Sequence, residues 1–282
     1  MRLPWPDEFF RLLNKDVNDI RLGDNKRTRL TILFSDIRSF TSISESLSPR
    51  DNFAEINRFL GEMEPEITNN NGFIDKFIGD AIMALFSAED SALHAVEAGI
   101  NMHRKIPLLN QERKANNPLA KDIEIGVGIH TGDLMIGIIG GNNRMETTVI
   151  SQNVNLASRL EGLTKHFGAK LIISEVTLKD ISPSDRRRLN LRYLGPVVPK
   201  GSTDPVRIHE VLDADEPEIM RRKLEYREKF ERALRLGTER KFEEALNIFK
   251  EIFIDYPEDK AVHFWMERCE RRVDFREELS VK

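Results

Sequence analysis

The stretch GFIDKFIGDAIMALF, residues 72–86, decides how the rest of the chain is read. Apolar residues on either side of Gly79 and Asp80 spell a hairpin, short apolar strands joined by a turn of ordinary turn residues. Its middle nevertheless carries Asp75, Lys76 and Asp80, an acid, a base and a further acid in a hairpin that otherwise reads as core. Charged groups do not enter a core without a partner or a task.

The 282 residues are 40% hydrophobic and 32% charged, enough for one substantial core with something small beside it. A formal net charge of −4 supplies no general attraction to nucleic acid or to anionic membranes. Cys269 is the single cysteine, so no internal disulfide forms, which fits a reducing compartment. The N-terminal MRLPWPDEFFRLLNK lacks the uninterrupted apolar core of a secretion signal, and no run approaches the ~20 apolar residues that span a bilayer. The expected location is the cytoplasm, as a free protein or as the cytosolic portion of a larger receptor.

Upstream of the hairpin, residues 5–20 carry Phe9, Phe10, Leu12, Leu13 and Val17 in the spacing of a short amphipathic helix that stops at Gly23. NKRTR reads as a basic linker and LTILFSDI as an apolar strand broken by Asp36. In SPRDNFAEINRFLGEMEPEITNNNG, Phe53, Ile56, Leu60, Met63 and Ile67 recur at helical steps, one face of a helix that the Asn-rich loop ends. Leu93, Val96 and Ile100 mark a second helix, with a polar loop expected near Asn110–Lys121. Ile123, Ile125, Val127 and Ile129 alternate as in a half-buried strand, with LMIGIIGG as its hairpin neighbour. NVNLASRLEGLTKHFG spells a helix stopped by Gly168, KLIIS a strand, EVTLKDI a short helix, and LNLRYLGPVVPKGSTDPVRIHEVLD the closing strands. This order predicts an α+β sandwich with a ferredoxin-like βαββαβ heart, helices lying on one side of a mainly antiparallel sheet.

Past Asp213 the chain turns strongly charged and helical. Gly237, Phe242, Ala245, Phe249 and Pro257 resemble the small-and-large pattern of a tetratricopeptide helix pair, and one such repeat cannot bury its own face. It is expected to pack on the main domain as a cap, or to dock another chain. The division that results is an N-terminal helical or transducer segment at 1–28, a main domain at 29–213 and a small helical tail at 214–282.

Asp36 and Asp80 both fall at strand ends, and if those strands are neighbours their carboxylates converge. Paired hard oxygen donors at an open edge suit Mg²⁺, which keeps waters and shares phosphate oxygens with a substrate. Each aspartate alone has a plain structural reading, Asp80 as a turn residue and Asp36 as a helix cap. The segment IRSFTS after Asp36 leads from strand to helix, where backbone N–H groups can cradle phosphate. Asn155 and Arg159, at i and i+4, share a helix face beside Leu156 and Leu160. The arginine's permanent planar charge suits a pentavalent phosphorus, although an exposed Arg159 paired to Glu161 or another acid gives the same pattern.

Together these residues give the chain a resemblance to the class III nucleotidyl cyclases, from about Arg29 to Asp213. The matching stretches are LFSDIRSFTSISE, GFIDKFIGDAIMALF, GVGIHTGDLMIGIIG, RMETTVISQNVNLASRLEGLTK and VPKG, in the family's order. The resemblance implies that Asp36 and Asp80, with the backbone carbonyl of Ile37, hold a pair of Mg²⁺ or Mn²⁺ ions in each site. It places Phe40 and Thr41 among the substrate-binding residues. Lys76 matches the purine-reading lysine of adenylate cyclases and Thr148 its partner at the N1 and 6-amino edge of adenine. Guanylate cyclases carry an acid and usually a small residue such as cysteine there, so Lys76 argues for ATP. Asn155 and Arg159 match the pair that positions the ribose and steadies the transition state. Lys200 in VPKG matches a phosphate-contacting lysine, and Arg144 adds charge nearby.

In that family the metal aspartates come from one subunit and the lysine, threonine, asparagine and arginine from the other. This chain carries all of them, which implies a head-to-tail homodimer with equivalent interface sites and an inactive monomer. The implied reaction is ATP to 3′,5′-cyclic AMP and pyrophosphate. Ser151, Gln152 and Asn153 stand where relatives often have Gly-Asp or Ser-Asp, which keeps a guanylate or mixed-specificity cyclase open. A non-catalytic nucleotide-sensing module is the alternative outside enzymes. Asp75 reads as solvated or ion-paired, and His130 as packed or at the surface. DVNDIRLGD resembles the segment through which upstream sensor domains drive such enzymes. A sensor domain, or a protein held by the tail, is the regulatory partner to expect.

Overall fold

The computed structural model describes residues 7–45, 47–141, 144–198 and 204–277. Helix α1 (Asp7–Leu13) is shorter than expected, because Asn14 takes a left-handed backbone with φ 55° and ends it. A single 3₁₀ turn at Val17–Asp19 follows, capped by the Asp16 side chain. Strand β1 (Asn25–Ile37) then runs for 13 residues. NKRTR, expected as a linker, forms its first five residues.

The elements after β1 are α2 (Phe40–Ser44), α3 (Pro49–Thr68), β2 (Gly72–Ile78), β3 (Ala81–Phe86) and α4 (Ser91–Asn116). There follow β4 (Ile125–Gly141), β5 (Arg144–Ile150), α5 (Gln152–Phe167), β6 (Leu171–Ser174), α6 (Glu175–Asp180), α7 (Pro183–Arg186), β7 (Leu191–Val197) and β8 (Val206–Val211). The tail supplies α8 (Pro217–Thr238), α9 (Phe242–Asp255) and α10 (Lys260–Glu270).

Eight strands form one sheet in the order β2-β3-β1-β4-β6-β8-β7, with β5 also on β4. Every pairing is antiparallel except β4 with β6. The expected hairpin between GVGIHTG and LMIGIIGG is instead one continuous strand of 17 residues. Strand β1 explains why: it pairs along nearly all of β4, from Asn25 opposite Gly137 to Ile37 opposite Ile125, so a turn between would break the ladder. The partner of the far half of β4 is β5, made from RMETTVI. Helix α4 likewise continues through part of the expected loop, to Asn116.

Helices cover both faces of the sheet, where one covered face was expected. Alternate residues of β1 divide between them. Leu33 and Ile37 join Phe59, Met63 and Ile67 of α3 and the apolar side of α4. Ile32 and Phe34 join Phe9 and Leu13 of α1 and Ala157 of α5. On α3 the buried stripe begins at Phe59, while Phe53 is 72% exposed.

The tail packs on the main domain. Leu160, Leu163 and Phe167 of α5, with Leu194, Val197 and Ile208 of the sheet, share a core with Phe230, Phe249, Val262, Trp265 and Phe275. Trp265 donates from its indole to the Leu194 carbonyl at 2.9 Å. Its ring lies over Gly195, which has φ 110° and where a Cβ would come within 2.6 Å of the indole. A buried ion cluster fastens the same seam. Arg192 pairs with Glu210 at 2.8 Å and with Asp259, while Lys223 pairs with Glu210 at 2.6 Å and Asp215 at 2.8 Å. No described helix is long and apolar enough to cross a membrane.

Candidate active site

The apolar run of β1 ends at Asp36, and the tight turn between β2 and β3 holds Asp80 beside Gly79, whose φ of 66° suits glycine. Ser35 lies opposite Ile82, so the register carries Asp36 and the Asp80 turn to the same end of the sheet. There the Asp80 carboxyl lies close enough to act on that of Asp36. Burial, then Asp80's hydrogen bond and charge, push the Asp36 carboxyl up to about 7, while the Ile37 N–H, donating at 2.9 Å, pulls the other way. Two like charges this close call for a cation or a proton between them.

Glu161, a residue that sequence reasoning treated only as a surface partner for Arg159, faces the same place from α5. Burial first, then the charge of Asp36, push it up to about 7, with Arg38 opposing. Its approach depends on Gly126 and Gly128 of β4. A Cβ at Gly128 would lie 2.1 Å from the Glu161 backbone nitrogen, and one at Gly126 would lie 2.5 Å from Glu161 Oε1. Because Gly126 sits opposite Asp36 in the ladder, the close packing of α5 brings the acid over the aspartates. Glycines two apart on one strand face are the signal that was available for this. Among the described residues, no three His, Cys, Asp or Glu side chains converge closely enough to cage an ion.

Beyond Asp36 the chain turns through Ser39, left-handed at φ 55°, into α2, where Phe40 packs partly on the core and Thr41 is exposed. Arg38 is drawn away from this opening by a hydrogen bond from its guanidinium to the Ala169 carbonyl at 2.6 Å.

Lys76 and Thr148 form the second grouping. Lys76 Nζ lies 3.5 Å from Thr148 Oγ1 and 3.3 Å from Asp75 Oδ2. Asp75 is thus ion-paired, and its side chain is wholly buried. Thr148, on β5 opposite Gly137, is itself 9% exposed.

Asn155 and Arg159 sit on α5, whose N-cap Ser151 accepts from the Asn153 N–H. Asn155 is exposed and Arg159 half-buried, and neither side chain makes a hydrogen bond or ion pair with a described residue. The expected surface pairing of Arg159 with Glu161 is therefore not found. Asn153 Oδ1 accepts from Nε2 of His130, which is buried between Asn153 at 3.0 Å and Ser174 at 2.7 Å, a packed histidine. Arg144 opens β5 opposite Gly141. Lys200 lies outside the described residues. The structure thus joins Asp36 to Asp80 and Lys76 to Thr148, and holds Asn155 and Arg159 on one helix.

Residues 24–206 match the adenylate and guanylate cyclase catalytic domain. A terminal-differentiation-specific adenylate cyclase of Dictyostelium discoideum is 35% identical over 272 residues, 95% of this chain and 13% of that protein. An adenylate cyclase of Anabaena cylindrica is 38% identical over 211 residues, 73% of this chain and 41% of that one. Among solved structures, the guanylyl cyclase Cya2 matches at TM-score 0.59 and 35% identity, over 68% of this chain and 96% of that one. The adenylyl cyclase CyaB from P. aeruginosa matches at TM-score 0.59 and 34% identity, over 66% and 95%. The chain belongs to the class III nucleotidyl cyclase family. It spans well under half the length of the Dictyostelium and Anabaena proteins. The likeness to the Dictyostelium protein runs past the catalytic domain into the helical tail.

Proposed function

We propose that this chain cyclises ATP to 3′,5′-cyclic AMP and releases pyrophosphate, at sites shared between copies arranged head to tail. The observation that carries the choice of purine is the 3.5 Å approach of Lys76 Nζ to Thr148 Oγ1. An ammonium only donates, and a hydroxyl both donates and accepts. Adenine offers an acceptor at N1 and a donor at its 6-amino group, which this pair complements. Guanine presents an N–H at N1, and two donors would then face each other.

Asp36 and Asp80 suit a divalent cation, since the register brings two hard oxygen donors to one end of the sheet. A pair of Mg²⁺ or Mn²⁺ ions held by these carboxylates and the Ile37 carbonyl would supply Lewis-acid stabilisation of the ribose 3′-oxygen and the triphosphate. In the reaction O3′ loses its proton and attacks the α-phosphorus, and the bond to the bridging oxygen of pyrophosphate breaks. Asn155 orients the ribose, and Arg159 meets the charge that builds on the phosphoryl oxygens. Arg144 and Lys200, with the backbone at Phe40 and Thr41, are the remaining candidates for triphosphate contacts.

The dimer is supported by apolar side chains left uncovered around this site. Phe77 and Ile78 beside the β2–β3 turn, and Ile139, Met145 and Ile150 on the β4–β5 arm, are 39–61% exposed. Product formation from ATP and from GTP, measured against protein concentration with Mn²⁺, tests the reading. Cyclic AMP should dominate, with specific activity rising as dimer forms. No cyclic AMP at any concentration refutes it. Guanylate cyclase activity is the second reading, favoured by the likeness to Cya2 and by Gln152 at the start of α5.

A further inference from the structure

Strand β2 contains an irregularity at the residue before Lys76. The ladder steps from Ile74 opposite Ala84 directly to Lys76 opposite Met83, leaving Asp75 as an extra residue in a β-bulge. A regular strand would send Asp75 and Lys76 to opposite faces, whereas a bulge re-aims neighbouring side chains. Here it sets the Asp75 carboxylate 3.3 Å from Lys76 Nζ. The Asp75 side chain is 0% exposed, against 38% for Lys76, and among the described residues its carboxylate has the ion pair with Lys76 and no well-aligned hydrogen bond. Burial raises the Asp75 carboxyl above its ordinary range, and among the described residues the charge that offsets it is that of Lys76.

A buried carboxylate with one half-exposed counter-ion is a poor way to stabilise a fold, and an apolar side chain of the same volume would serve better. The acid is therefore to be understood through the lysine. An ammonium has three N–H groups. Asp75 Oδ2 lies beside one side of it and Thr148 Oγ1 beside another, at 3.3 and 3.5 Å. We infer that Asp75 is a positioning residue of the purine pocket: its carboxylate anchors the Lys76 ammonium by charge against Thr148 and leaves the open side of the ammonium to a ring acceptor. The inference rests on the adenylate reading above and deepens it. A lysine swinging freely in solvent would still attract a triphosphate, but would distinguish poorly between a ring nitrogen that accepts and one that donates.

The test is binding of 3′-deoxy-ATP and 3′-deoxy-GTP, which cannot cyclise, to the intact chain and to its Asp75→Asn, Lys76→Met and doubly substituted variants. Asp75→Asn keeps the volume and removes the charge. It should weaken 3′-deoxy-ATP binding by about tenfold, the scale of losing preorganisation, and leave 3′-deoxy-GTP binding within about twofold. In the Lys76→Met background, Asp75→Asn should have no further effect on either ligand. Equal losses for both nucleotides, or the same loss with and without Lys76, would show a merely structural acid and overturn the inference. Wild-type affinities in Asp75→Asn would overturn it as well. Because the analogues report binding alone, an absence of cyclic AMP from ATP would count against the proposed reaction and not against the role of Asp75. Amine-reactive labelling of the wild-type chain needs no variant. Lys76 should react several-fold more slowly than the exposed Lys165, and equal rates would contradict an anchored ammonium.

Discussion

Lys76 and Thr148 approach to 3.5 Å although their strands are four pairings apart along the sheet, from β2 through β3, β1 and β4 to β5. In a flat sheet those steps alone would separate them by roughly 19 Å across the strands, with further distance along β4, where Lys76 aligns with Gly128 and Thr148 with Gly137. The sheet must therefore curl strongly, and the proposed purine-reading pair is a product of its twist. Lys76→Met should lower kcat/KM for ATP by about 100-fold, the range of a lost hydrogen bond from a charged donor, and change GTP turnover only a few-fold. Steady-state rates with both nucleotides check this. Equal losses would mean that Lys76 serves the phosphates and not the base.

The tail is part of the fold and not an appendage. Truncation after Asp213 would uncover Leu163, Phe167 and Leu194, and would strip Arg192 and Glu210 of their partners Asp259 and Lys223. Removing one member of a buried ion pair costs about 3–5 kcal/mol, and Trp265→Ala a similar amount by leaving a cavity. The truncated chain is expected to be insoluble, and Trp265→Ala to unfold at markedly lower denaturant. A soluble, fully active truncation product would show that the shared core is dispensable.

Acid should destabilise the protein through its histidines. Burial holds His103 down to about 3 and His209 to about 4, against ordinary values near 6.5. The unfolded chain therefore takes up these protons first. The histidine contribution to stability is fully present above about pH 6.5 and falls with pH below it, by about 1.4 kcal/mol per pH unit for each histidine, until the folded value is reached. The raised Asp36 and Glu161 carboxyls contribute in the opposite direction below about pH 7. His103 Nε2 donates to the Lys170 carbonyl at 2.9 Å, so His103→Gln keeps a donor and removes the titration. Urea unfolding at pH 7 and pH 5.5 should show a shallower loss in that variant than in the wild type.

Much of this site is legible in the sequence because it uses short-range signals. Asp36 ends an apolar strand, Asp80 follows a turn glycine, and Asn155 and Arg159 lie one helical turn apart. Long-range facts left weaker traces. GVGIHTG and LMIGIIGG read as the two arms of a hairpin, yet β1 holds both in one straight strand along β4. NKRTR looks like a linker because its side chains are largely exposed, although its backbone is paired. A bulge at Asp75 has no compositional mark. Nothing local announces that Trp265 will lie on Gly195, 70 residues away in sequence, or that glycines of β4 admit Glu161.

The central claim is that each catalytic site draws its aspartates from one chain and its Asn155 and Arg159 from another. Asp36→Asn and Arg159→Ala should each be nearly inactive alone, the arginine variant by about 10²–10³-fold. Mixed in equal amounts and allowed to exchange subunits, they should recover about a quarter of wild-type activity, since half the dimers would be mixed and each would hold one intact site. Cyclic AMP formation by that mixture is the most direct measurement. Recovery near a quarter is the result the account predicts, and no recovery after demonstrated subunit exchange would contradict it.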